Sequence, residues 1–242
     1  MPNPTLPSLG PNDGLLLVDK PSGPTSHDIV AKLRYHFQIP KVGHGGTLDP
    51  MATGLLVILL GKGTKISDRV MGHDKTYEGT LRLGVETDSQ DADGQIVKEV
   101  DASAITAEQV AEQMNLRRSD QMQMPPMVSA IKIKGVPLYK LARKGEVVER
   151  QPKLIHVYRF DLLDFTPPHA RFVVECTKGT YVRTLAHDIG QALGVGAHLS
   201  QLRRTKIGKL DVANASTLDE LLALSSLEGK ILPLAAALPL LM

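Results

Sequence analysis

Residues 42–60 read VGHGGTLDPMATGLLVILL: two glycine-rich turns around an Asp-Pro pair, then an unbroken apolar run. An aliphatic run from Leu55 to Leu60, bounded by turn signals, fits a strand buried on both faces. The turn ahead of it delivers Asp49 to a loop feeding that strand. Pro50 disfavours the helical region for the residue before it. Gly45 and Gly46 carry no side chains, which leaves room for a ligand to approach the main chain. Together these features present a carboxylate. Asp-Pro and Gly-Gly also make turns for their own sake, so the rest of the chain must decide what the carboxylate is for.

Upstream, Leu15 to Val18 form a short apolar strand after a Pro-, Gly- and Asn-rich leader over residues 1–12. Thr25 or Ser26 caps a helix that carries Ile29, Val30, Leu33 and Phe37 and ends before Pro40. Downstream, Tyr77, Gly79, Leu81, Leu83 and Val85 alternate with polar residues, the period of a half-buried strand. The acidic DSQDADG after it is a turn. Thr106 with Gln109 opens a helix to about Leu116, and Ser216 with Asp219 or Thr217 with Glu220 opens another. Strands at about 154–163 and 171–177 precede a helix from about Val182 to Leu193. The stretch between Gln121 and about 152 is rich in Met, Pro and Lys and fits an inserted hairpin and helix better than core. With strands mostly followed by strands, the pattern predicts an α+β fold. The apolar end, ILPLAAALPLLM, is too short and Pro-punctuated to span a bilayer and is expected to pack on the core.

The 242 residues are 42% hydrophobic, enough for a substantial core, and carry a formal charge of only +2. Charge is unevenly placed. Residues 132–153 hold Lys132, Lys134, Lys140, Arg143, Lys144, Arg150 and Lys153 against Glu146 and Glu149, whereas residues 86–101 hold six acids against Lys98. A single cysteine, Cys176, rules out an internal disulfide and a multi-thiolate zinc site. The N-terminus has neither the basic nor the apolar region of a signal peptide, so the cytoplasm is the expected compartment. GKGTK at 61–65 lacks the upstream glycine and the Ser or Thr of a phosphate loop. DSQDADG lacks the glutamate of a calcium loop, since Val100 stands in its place. No histidine spacing fits a metal site. Neither a cofactor nor a metal is expected.

Arg183 opens a helix after a strand in CTKGTYVRTLAHDIG (176–190). A cation gains nothing from a helix N-terminus, which suggests a buried acid as its partner. Such a pair at 4 Å attracts by about 4 kcal/mol at an effective dielectric of 20, before desolvation is counted. Tyr77 could stack on a base, although a strand tyrosine is more often core.

GHGGTLDPMATGLL (43–56), KTYEGTLRLG (75–84), TDSQDADG (87–94), CTKGTYVRTLAHDIG and GAHLSQLRRTKIG (196–208) follow one another in an order and spacing that resemble the bacterial tRNA pseudouridine synthase B family. The resemblance covers about Gly14 to Pro239. It implies a pseudouridine synthase fold, a mixed and largely antiparallel sheet with flanking helices, formed by residues 13–242. It implies Asp49 as the catalytic aspartate, Tyr77 as the tyrosine that stacks on the base, and Arg183 as the arginine paired with the aspartate. Tyr181 matches a tyrosine near the pocket, and Asp91 an acid networked with the arginine. His44 matches a histidine that contacts flipped-out nucleotides, and Lys20 a lysine that supports the active-site loops. The basic segment at about 121–152, with Lys132, Lys140 and Arg143, corresponds to an inserted thumb that grips the tRNA T-arm. Leu202 and Arg203 belong to a further RNA-contacting block. Relatives usually continue into a C-terminal RNA-binding domain of the PUA type, which this chain is expected to lack.

The implied activity isomerises the T-loop uridine of tRNA to pseudouridine, with tRNA as the partner, no obligatory protein partner and a monomeric enzyme. The reaction consumes neither redox equivalents nor energy. The buried uridine must be flipped out, at a cost of a few kcal/mol, which stacking on Tyr77 and cation–phosphate contacts offset. An aspartate, with a reference pKa of about 3.9, is a carboxylate at neutral pH and suits a nucleophile or a stabiliser of ribose cation character. Addition to the sugar and proton removal to a glycal both remain open, and Tyr77 is a candidate for the final deprotonation. A guide-RNA-dependent synthase and a non-catalytic tRNA-binding chaperone are the alternatives; the intact set of Asp49, Tyr77 and Arg183 argues against the second.

Overall fold

The structure is a computed structural model that describes residues 10, 13–129, 132–133, 135–138 and 148–242. In chain order it runs β1 (Gly14–Lys20), α1 (Ser26–His36), β2 (Val42–His44), β3 (Thr53–Leu60), α2 (Ser67–Gly72), β4 (Lys75–Leu83), β5 (Val85–Thr87), β6 (Ile96–Glu99), α3 (Ala107–Leu116), β7 (Ser119–Gln123), β8 (Lys132–Ile133) and β9 (Val136–Pro137). It continues with β10 (Lys153–Thr166), β11 (His169–Cys176), α4 (Val182–Ala192), β12 (Ala197–Ile207), β13 (Leu210–Asp211), β14 (Ser216–Thr217), α5 (Leu218–Leu222), β15 (Ile231–Pro233) and α6 (Leu234–Ala237). These elements form two compact units, one of residues 1–73 and 203–242, the other of residues 74–202.

In the first unit β1 pairs antiparallel with β3 along its whole length, from Gly14 opposite Leu60 to Lys20 opposite Gly54. It also pairs antiparallel with β15 and parallel with β14, so strands far apart in sequence meet on it. The continuous apolar run of β3 is buried along all but its first residue, as expected of a strand covered on both faces. Leu15, Leu55, Val57, Leu59, Val70, Ile207 and Leu210 form a core that Ala237 and Leu241 complete. The apolar C-terminal stretch therefore does pack on the core. Each such side chain contributes about 1.5–3 kcal/mol relative to exposure. Thr25 caps α1, and its capping box is closed by Asp28.

In the second unit β10 pairs antiparallel with β7 and β11, and β11 with β4. Phe160 and Phe172 meet edge to face across that sheet at 5.2 Å. The predicted strand to Val85 stops at Leu83. Gly84 takes φ +80, which a side chain would resist, and Val85 opens β5, which pairs with β6. Thr106 with Gln109 and Thr217 with Glu220 both form the predicted capping boxes. A two-residue hairpin, β8 with β9, lies in the Met- and Lys-rich segment. The helix predicted to follow it falls outside the described residues. The fold is thus α+β, with mainly antiparallel pairing. Among the described residues no helix is long and apolar enough to cross a membrane.

Candidate active site

Asp49 lies half-buried in the loop between β2 and β3, and two buried cations hold the loop's main chain. Lys20, at the end of β1 and 0% exposed, donates from Nζ to the carbonyls of Pro21 (2.9 Å), Pro50 (3.1 Å) and Ala52 (2.7 Å). Arg204, on β12 and 1% exposed, donates from Nε to Leu55 O at 2.8 Å, from Nη1 to Thr47 O at 3.2 Å and from Nη2 to Gly46 O at 3.0 Å. The Ser26 hydroxyl at the start of α1 accepts from Leu48 N–H and donates to Leu48 O. Buried main-chain carbonyls must find donors, and here cations from β1 and β12 supply them on both sides of Asp49. The loop is fixed in shape by groups that do not themselves present a negative charge to Asp49.

Gly45 does not open the main chain to a ligand, as its sequence suggests. A Cβ there would stand 2.4 Å from Val70 Cγ1, so the missing side chain admits α2 and not a ligand. Gly46 takes φ +131 beside Arg204. His44, at the end of β2, is held below its ordinary pKa of 6.5 by burial first, then by the charges of Arg204 and His27. A neutral ring also fits the Gly46 N–H, which points at Nδ1 from 3.4 Å.

In the other unit Arg183 and Asp91, coupled by the resemblance, form a buried pair: Arg183 Nη1 is 2.9 Å from Asp91 Oδ2, with the side chains 4% and 5% exposed. The guanidinium also donates to Ser89 O at 3.2 Å and, through Nη2, to Val128 O at 2.9 Å. Asp91 is held in turn by the Ser89 hydroxyl and by Asp93 N–H, and its own carbonyl accepts from the Thr87 hydroxyl. Tyr77 sits half-buried on β4 opposite Val174. Tyr181 is the residue before α4. Its N–H and C=O are both clasped by the side-chain amide of Gln123, at 2.8 and 3.0 Å. Leu202 is buried on β12.

Arg203, the next residue, makes a bidentate contact with Asp19 at 2.9 and 2.7 Å. Its guanidinium is thus committed within the protein. Lys132 lies on β8, while Lys140 and Arg143 fall outside the described residues. The sequence does not show that Arg204, one of a run of basic residues, holds main-chain carbonyls, nor that Gln123 clasps Tyr181. Nothing local marks either of them, because their partners lie 58 residues away for Gln123 and up to 158 away for Arg204. Cys176, the one thiol, is no competing nucleophile: burial pushes its pKa up to about 12.

Residues 34–182 match the model of the TruB family pseudouridylate synthase N-terminal domain, and residues 183–238 that of the tRNA pseudouridylate synthase B C-terminal domain. A tRNA pseudouridine synthase B from Opitutus terrae is 52% identical over 94% of this chain and 95% of its own. One from Syntrophotalea carbinolica is 49% identical over 93% of this chain and 74% of its own. Among solved structures, one of a Cbf5–Nop10–Gar1 complex superposes with a TM-score of 0.69 at 31% identity, over 88% of this chain and 54% of that one. With both domain models matched in sequence and relatives at half identity along nearly the whole length, the chain belongs to the TruB family of pseudouridylate synthases.

Proposed function

We propose that this isomerase converts the T-loop uridine of tRNA to pseudouridine, with Asp49 as the carboxylate that faces the ribose. The observation that carries the reading is the Asp49 loop itself: a half-buried carboxylate on a main chain fixed by Lys20 and Arg204. Preorganisation of this kind places charge where it develops in the transition state without reorganisation at the moment of reaction. In the reaction the bond from ribose C1′ to uracil N1 breaks, the base turns, and a bond from C1′ to C5 forms. C5 loses its proton and N1 gains one, so atoms and electrons balance without a co-reactant. Asp49 is the anionic partner of C1′ while the first bond is broken. Tyr77 provides a stacking surface for the extruded base. Arg183, fixed by Asp91, supplies positive charge, and His44 contacts the displaced nucleotides as a neutral ring. The basic segment at about 121–152 grips the T-arm as a thumb. The tRNA substrate is in keeping with relatives that bear the name tRNA pseudouridine synthase B, and the enzyme acts as a single chain in the cytoplasm.

The likeness to a protein solved in complex with Nop10 and Gar1 favours a second reading, in which partners and a guide RNA are needed. One experiment separates the two. The purified chain is incubated with an unmodified tRNA transcript and nothing else, and the modified nucleotide is mapped. Pseudouridine in the T-loop supports the first reading, and its absence until other factors are added supports the second. Asp49→Asn should abolish product while tRNA binding persists; turnover within tenfold of wild type would remove Asp49 from the chemistry.

A further inference from the structure

We infer that Ser129 is a substrate-binding residue whose hydroxyl hydrogen-bonds a polar atom of the extruded nucleotide. Ser129 is 5% exposed, yet among the described residues its Oγ has no hydrogen-bond partner. Buried hydroxyls are almost always paired, and one left without a partner costs stability. A hydroxyl can donate and accept, and its hydrogen turns to suit whatever arrives. Its position argues against an idle defect. The carbonyl of the preceding residue, Val128, accepts from Arg183 Nη2 at 2.9 Å, while Nη1 of the same guanidinium holds Asp91. Ser129 N–H closes a tight turn on Met127 O at 3.0 Å. The serine is therefore pinned by the same arginine that the proposed function assigns to the site, and the inference rests on that reading. Asp91, Arg183, Val128 and Ser129 form one chain of contacts that ends in an unused hydroxyl.

The hydroxyl is satisfied only when substrate is bound, so Ser129→Ala should lower turnover without lowering stability. Removing a buried group without a protein partner leaves the melting temperature unchanged or raises it. Removing a substrate hydrogen bond lowers kcat/KM on a tRNA transcript by roughly tenfold. A Ser129→Ala enzyme with wild-type kcat/KM overturns the inference. So does one whose melting temperature falls, because the hydroxyl then has a partner inside the protein. Wild-type enzyme is assayed on the same transcript: if it forms no pseudouridine, the functional reading fails, whereas an active wild type beside an equally active Ser129→Ala sinks the inference alone.

Discussion

Arg203 and Arg204 are neighbours on one strand, so their side chains leave opposite faces. One meets Asp19 near the surface and the other is buried beneath the Asp49 loop. A sequence window shows two adjacent arginines and no sign of which is which, and the RNA-contacting role expected for Arg203 falls on a side chain already paired. The loop that carries Asp49 into β3 was legible because Gly and Pro act on the backbone within a residue or two, whereas Lys20 and Arg204 act through carbonyls brought close only by folding. The Arg183–Asp91 pair has a measurable consequence. Asp91→Asn leaves a buried guanidinium without this carboxylate, and a broken buried pair costs about 3 kcal/mol or more. Denaturant midpoints should show it, and a loss below about 1 kcal/mol would mean that Asp91 is not the counter-charge that matters. His44 gives a pH signature. Its folded pKa lies below 6.5, chiefly through burial, so the unfolded chain binds its proton first as pH falls. The stability that depends on a neutral ring is complete above pH 6.5 and is lost on acidification through the folded pKa. His44→Gln should therefore lose less melting temperature between pH 7.5 and pH 5 than wild type, and parallel curves would clear His44 of any role in the acid sensitivity of the fold.

Helix starts were the most legible elements, since a capping box is closed by residues three apart: Thr106 with Gln109, Thr217 with Glu220. Strand partners were not legible. β1 pairs with β14 and β15 from the far end of the chain, and apolar alternation says that a strand has a buried face without saying what lies beside it. The loop into β3 is set by an equally non-local contact. Gly45 lacks a side chain because Val70 of α2 occupies the space, a packing constraint that reads in sequence like an opening for a ligand. A double-mutant cycle separates the two meanings. Gly45→Ala forces an overlap and should destabilise by about 1–3 kcal/mol. Adding Val70→Ala, itself costly as a cavity in the core, removes the 2.4 Å overlap with Cγ1 and leaves only the milder one with the Val70 Cβ at 2.9 Å. The double mutant should be more stable than the sum of the singles predicts, by at least about 0.5 kcal/mol. Strict additivity would show that Val70 is not what excludes a side chain at Gly45.

A net charge of +2 gives no general attraction to RNA, so affinity must come from where the cations are placed. Long-range binding to a polyanion is read most directly from salt, because each phosphate neutralised by a fixed cation releases condensed counterions. Lys132, Lys140 and Arg143 stand in the basic stretch of 132–153, where basic residues outnumber Glu146 and Glu149. Arg203 already faces Asp19 through two bonds, so its charge is compensated and it has little left to exchange for a phosphate. The two sets should therefore behave differently. Replacing Lys132, Lys140 and Arg143 together by Gln should reduce the slope of log K against log salt for tRNA binding by about 2, roughly 0.7–0.9 for each lost contact. Arg203→Gln alone should change it by less than about 0.5 on the same scale. Filter binding or fluorescence titration between 50 and 300 mM salt, about a sixfold span, resolves such a difference. An unchanged slope in the triple variant would detach the basic segment from the RNA backbone, and a large change in Arg203→Gln would show that tRNA pulls this arginine away from Asp19.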